Sequence, residues 1–362
     1  MPAAADRAGG HFYDWGVYET TTVMPGVRTM EHARTEHANE TLRVGAMRQT
    51  RRVFFATAMA ISLLWDVGCV DQSLIGRAEI IVGLSRLILH PQETCTELRQ
   101  RYGLTYLPLA DNPAEAGMAY EEVWVPVTPD AMLHTWYLPA KLDRGTVVLS
   151  CGNAGPMACY LFTADLLTRH GWTVVMYEYE GFGESAGRAS LDALYRDLLS
   201  AVSFARTATG REQVTLMGIS LGSIPSVAVA VEHPELVNAV ILDSPIALAA
   251  QIQRYGFIFG GQVDWIISQL LPELLPDSLI RFMPQPLLVF LHELDPIATP
   301  ETVEWLYDHA AGPKRLVRFS GLGHAGGQFF DTDLYVSALE QFLADVWSQE
   351  APSAEASPAY QP

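Results

Sequence analysis

Positive charge is scarce in this chain: 23 Lys and Arg face 41 Asp and Glu, for a formal net charge of −18 over 362 residues. Phosphate backbones and anionic lipid surfaces attract proteins through clustered Lys and Arg, so nucleic acid is not an expected partner. Cysteine is scarce too. Cys69, Cys95, Cys151 and Cys159 are too few and too irregularly spaced for a disulfide framework, and no Cys-x-x-Cys or His/Cys cluster offers a zinc site. No metal and no cofactor is expected. The uncharged stretch from Val53 to Trp65 would make only ~20 Å of helix against a hydrocarbon core of ~30 Å, so it is too short to span a bilayer. No internal repeat is evident.

Apolar residues are plentiful. With 49% hydrophobic and 18% charged residues the chain can bury a sizeable core, and one domain with extensions at its ends is the economical reading. Residues 1–46 are polar and read as weakly ordered. The segment 47–118 opens with Met47-Arg48-Gln49-Thr50-Arg51-Arg52, continues into the apolar stretch 53–65, reaches Gly68-Cys69, and then reads as a helical lead-in. That order resembles a secretory signal ending at a bacterial lipoprotein cysteine. Asp66 and the 46 preceding residues depart from the pattern, and a start at Met47 would remove the second departure. Export to the cell envelope with membrane attachment through Cys69 or the 53–65 segment therefore stands beside a cytoplasmic protein with a packed helix. The Pro, Ala and Ser-rich tail 349–362 reads as disordered.

Residues 119–348 alternate strand-like and helix-like segments, as a mostly parallel α/β sheet does. An antiparallel pair is expected at 123–127 and 132–139. Buried strands are expected at 146–150, 173–177, 214–217, 239–242, 287–291 and 316–319. Helices are expected at 159–169, 191–206, 223–232, 302–309 and 334–347. The segment 246–286 interrupts this rhythm with Phe257, Phe259, Trp265, Leu270 and Leu274 among others, and reads as a helical cap over the carboxyl ends of the strands.

Between the strand at 214–217 and the helix at 223–232 stands Gly218-Ile219-Ser220-Leu221-Gly222. A serine on a sharp strand-to-helix turn is exposed to a base while helix-start N–H groups face a developing oxyanion. Flanking glycines let the strand and helix cross closely enough for that turn.

With Ser150-Cys151-Gly152-Asn153-Ala154-Gly155, Gly181-Phe182-Gly183-Glu184-Ser185 and a late Gly321-Leu322-Gly323-His324, the chain resembles the α/β-hydrolase superfamily. The likeness covers about 121–347 and is closest to the serine-aminopeptidase, monoglyceride-lipase and thioesterase-like branch. It implies a mostly parallel sheet flanked by helices with a short helical cap. It also implies a serine hydrolase acting on small-molecule acyl esters or thioesters, with part of the cap lining an acyl pocket. Ser220 would be the nucleophile and His324 its base. Asp295, after the strand at 287–291, would be the acid, with Asp243 after the preceding strand as its rival. The backbone N–H groups of Leu221 and Asn153 would form the oxyanion hole.

Several positions depart from the family's usual residues. Cys151 replaces a common His and reads as a buried small residue. His292 replaces a common Gly and reads as a loop residue. Glu178 and Glu180 stand where Asp and Arg are frequent, the second removing an ion-pair partner. The alternatives are an aminopeptidase-like amidase, with Glu293 or Glu273 holding a free amine, and a non-catalytic binding protein that keeps the fold.

Overall fold

The computed structural model describes residues 77–89, 95, 110–153, 156–254, 256 and 262–348. The expectations for the 1–46 extension, the 53–65 stretch, Cys69 and the 349–362 tail lie outside these residues. Among the described residues no helix is long and apolar enough to cross a membrane.

Strands β1 (Glu121–Thr128) and β2 (Ala131–Leu138) form an antiparallel hairpin, and β2 runs antiparallel to β4 (Trp172–Tyr177). From there the sheet is parallel through β3 (Gly145–Ser150), β5 (Val214–Ile219), β6 (Val237–Asp243), β7 (Leu287–His292) and β8 (Lys314–Phe319). The spatial order is β1-β2-β4-β3-β5-β6-β7-β8. Strands β3, β4, β5 and β7 are buried along their whole length, as parallel strands covered on both faces must be, whereas edge strand β1 alternates.

Side chains leave each strand alternately toward two cores. Val148 and Leu216 join one, with helices α1 (Arg77–Ile88), α3 (Ala193–Thr209), α4 (Ser223–Glu232) and α8 (Pro300–His309). Val147, Leu149 and Met217 join the other, with α2 (Leu161–Arg169) and α9 (Thr332–Ser348). Helix α3 stops at Gly210, whose left-handed φ of 68° suits a glycine at a helix end. The cap contributes short helices α5 (Leu248–Arg254), α6 (Val263–Gln269) and α7 (Pro276–Leu279). Its buried Ile266, Leu270 and Leu274 belong to the first core, and the cap packs on α4. These aliphatic residues are therefore core packing; Phe257 and Phe259 lie outside the described residues.

Two contacts that the sequence reading did not foresee arise here. Cys95 and Cys159 form one disulfide, with Cα atoms 5.2 Å apart across a sequence separation of 64. Irregular spacing along the chain says nothing of such a meeting. Glu180 also keeps an ion pair: Arg196 Nε, a turn into α3, donates to it at 2.8 Å. Its neighbour Asp197 accepts the Glu180 backbone N–H at 2.9 Å. Burial, reinforced by the Glu180 carboxylate and opposed by that N–H, pushes the Asp197 carboxyl up to about 8.

An Asp whose folded pKa lies above its unfolded value favours the fold fully only below that unfolded value, and the contribution is lost as pH rises toward the folded one. Stability is therefore expected to fall between about pH 4 and pH 8. Asp197→Asn keeps the acceptor and removes the charge, so thermal melts should show a flatter profile and a gain of about 2–4 °C at pH 8. An unchanged slope would contradict the assignment.

Candidate active site

The turn after β5 is tight because its glycines allow no alternative. A Cβ on Gly218 would lie 2.5 Å from the Gly222 carbonyl oxygen, and one on Gly222 would overlap the Ser150 carbonyl. Ser220 is consequently forced into the left-handed region at φ 52°, a conformation that costs roughly 1–3 kcal/mol and is held only by its surroundings. Those surroundings include Ser223 Oγ, which donates to the Ser220 carbonyl at 2.6 Å and accepts the Ile246 N–H at 2.8 Å. The elbow is thus pinned to the entrance of the cap.

Loops after β7 and β8 bring two further side chains to Ser220. His324 Nε2 lies 2.8 Å from Ser220 Oγ, and His324 Nδ1 lies 2.7 Å from Asp295 Oδ2. A carboxylate can only accept, so Nδ1 carries the hydrogen and Nε2 faces the hydroxyl as acceptor. Asp295 Oδ1 takes the N–H groups of Ile297 and Ala298 at 2.8 and 2.9 Å. Burial alone would raise the Asp295 pKa. The hydrogen bond and charge of His324 with the Ile297 N–H outweigh it and hold the carboxyl below its ordinary value.

Asp243 faces elsewhere. Tyr335 OH donates to its Oδ2 at 2.9 Å, His292 Nδ1 stands 3.7 Å from its Oδ1, and burial raises its pKa. Of the two carboxylates the sequence offered, Asp295 is the one that reaches His324. His292 is not a loop residue: it is the fully buried last residue of β7.

On the other side of Ser220, Gly152 passes so close that a Cβ there would sit 3.3 Å from the serine Cβ and 2.6 Å from Tyr160 OH. The loop is braced through its backbone, since Tyr179 OH donates to the Cys151 carbonyl at 2.8 Å. The Cys151 thiol is buried and its pKa is pushed well up by burial, which makes it inert. Asn153 Nδ2 donates to Ile88 O, at the end of α1, at 2.5 Å. Leu221 is buried at the first turn after the serine. Glu178 is buried against His134 Nδ1 at 3.1 Å and accepts the Glu184 N–H at 2.7 Å, away from Ser220.

The serine aminopeptidase (S33) family profile matches residues 142–285, which include the elbow. With the eight-stranded order and the elbow geometry, this match decides the fold. The chain has the α/β-hydrolase fold. An uncharacterised Mycobacterium tuberculosis protein is 28% identical over 255 residues, 68% of this chain and 88% of the relative. The uncharacterised protein YfhR of Salmonella typhi is 26% identical over 295 residues, 72% of this chain and 94% of its own length. In three dimensions the chain is similar to a Pyrococcus furiosus esterase, with a TM-score of 0.55 at 16% identity over 65% of this chain and 96% of the other. A Butyrivibrio proteoclasticus protein, Est1E, solved with ferulic acid, gives a TM-score of 0.54 at 15% identity over 62% and 99%. Likeness at such identity speaks for the fold alone.

The sequence alone assigned no role to Ser223, Tyr179, Ser244 and Tyr335, each of which has a partner at least 23 residues away in the chain. Among the described residues no cluster of three His, Cys, Asp or Glu side chains gathers to hold a metal. A cavity of 680 Å³ opens between α1 and residues 188–192, lined by Ile81, Leu89, Arg86 and Arg188, with no contribution from Ser220, His324 or Asp295. Gly222→Ala is expected to lower unfolding stability by about 1–3 kcal/mol through overpacking. Gly83→Ala, whose Cβ meets nothing within 4 Å in the middle of α1, should be neutral or stabilising by up to about 1 kcal/mol. Denaturant midpoints of both variants, at equal m-value, test this.

Proposed function

We propose that this hydrolase cleaves carboxylic ester or thioester bonds of apolar acyl substrates through an acyl-enzyme on Ser220. The observation that carries the reading is the unbroken hydrogen-bonded line from Asp295 through His324 to Ser220 Oγ, at 2.7 and 2.8 Å. Ser220 Oγ attacks the acyl carbonyl as His324 Nε2 takes its proton, and the same nitrogen returns a proton to the departing alcohol or thiol. Asp295 fixes the tautomer and steadies the imidazolium. The backbone N–H groups of Leu221 and Asn153 stabilise the tetrahedral oxyanion, each worth about 3 kcal/mol in the transition state. Water, activated by His324, then releases the acid. The scarcity of Lys and Arg favours an uncharged acyl ester over an anionic substrate.

The aminopeptidase-like reading has the matched family's description in its favour. It would require a carboxylate beside the scissile bond to hold a free amine. Glu293 is exposed and Glu273 half-buried in the cap turn. Turnover of p-nitrophenyl acyl esters against aminoacyl anilides separates the readings, with the esters expected to dominate. Asp295→Asn should lower kcat about 10⁴-fold, whereas Asp243→Asn should lower it less than about tenfold, since it touches neither Ser220 nor His324. A fluorophosphonate probe should label the wild type and leave Ser220→Ala unlabelled; equal labelling of both would contradict the proposal.

A further inference from the structure

Two non-glycine residues beside the site hold left-handed backbone: Ser244, following β6, and Ala325, following His324, each at φ 49°. They are joined, because the Ala325 N–H donates to Ser244 Oγ at 2.9 Å. The same oxygen lies 3.0 Å from His292 Nδ1, and the Gly327 N–H donates to His292 Nε2 at 2.9 Å. A nitrogen that accepts carries no hydrogen, so in the neutral ring the hydrogen is on Nδ1 and points at Ser244. Burial lowers the His292 pKa, which keeps the ring neutral. Stacking on Phe319, with centroids 4.9 Å apart and planes 11° from parallel, fixes its orientation.

Ser244 Oγ therefore accepts twice and keeps its own hydrogen to give away. The Ser244 hydroxyl also faces the Asp295 carboxylate and helps to hold its pKa down. The turn Ala325 to Gly327 that carries His324 and the carboxylate that orients it thus share one small polar unit beneath them.

We infer that Ser244 and His292 are positioning residues for the hydrolytic reaction, Ser244 holding Asp295 and the His324 turn in one register and His292 holding Ser244. This rests on the serine hydrolase reading above and extends it to residues that touch no substrate. His292 occupies the end of a buried strand with both ring nitrogens engaged, which is more than packing requires. A hydrophobic residue would fill the space and leave the Gly327 amide without its acceptor and the Ser244 oxygen without its donor. Displacing a catalytic group by about 1 Å costs on the order of 100-fold in rate.

The test compares the wild type with Ser244→Ala, His292→Phe and His292→Asn as full-length proteins. Ser244→Ala and His292→Phe are expected to lose about 100-fold in kcat, with KM held within about twofold because substrate contacts are untouched. The far-downfield proton resonance of the His324–Asp295 hydrogen bond should move or broaden in both. His292→Asn retains a donor near the Nδ1 position and should recover about fivefold in kcat over His292→Phe, the worth of one hydrogen bond. If Ser244→Ala does not fold, Ser244→Gly, which relieves the positive φ, should show the same kcat loss. Unchanged kcat and resonance with only a lower melting temperature would overturn the positioning role while leaving the hydrolase reading intact. A wild type that neither hydrolyses esters nor takes a fluorophosphonate would overturn both.

Discussion

Ser220 is held in a backbone conformation that an L-amino acid adopts only under duress, and the source of that duress is a close crossing of three backbones. Gly222 lies against the Ser150 carbonyl at the end of β3, and Gly218 lies against Gly222 itself. Packing at this crossing belongs to the most deeply buried part of the sheet, between β3 and β5. The strain is thus supported by the hydrophobic core and delivered at one hydroxyl. The Gly152 loop, the cap entrance through Ser223 and Ile246, and the His324 turn are all referenced to that point.

The electrostatics at the strand ends follow from what surrounds each carboxylate. Asp295 collects two backbone N–H groups and an imidazole, so the charged form survives burial. Asp243, at the end of the adjacent strand, finds one phenol and a neutral histidine, and burial pushes its pKa the other way. Two acids a strand apart are separated in role by the donors around them, a common way for one site to hold groups of opposite tendency. Of the two, Asp295 is the one in contact with His324 Nδ1 and so the one placed to fix its tautomer.

Much of this was readable in the chain because the informative signals are local. Each expected strand falls within or overlaps an observed one, since buried apolar runs bounded by turn residues need no long-range knowledge. The elbow was legible as a five-residue string between a strand and a helix. What stayed hidden depends on meetings between distant segments: Cys95 with Cys159, Tyr335 with Asp243 across 92 residues, His292 with Ser244 across 48 and with Gly327 across 35. Asp243 ends β6 and Asp295 follows the end of β7, both ahead of His324, so spacing left them open until the loops were seen in space. The one available signal for His292 was a polar, titratable residue closing the apolar run Leu287 to Leu291.

The account depends on Ser220 carrying the acyl group in mid-reaction. Acid quenching during turnover of a slow p-nitrophenyl ester, followed by proteolysis and peptide mass analysis, tests this most directly. The acyl mass is expected on the peptide that contains Ser220, in an amount matching an initial burst of nitrophenolate. An acyl group found on another residue, or hydrolysis with no burst and no adduct under conditions where deacylation is slow, would contradict the mechanism.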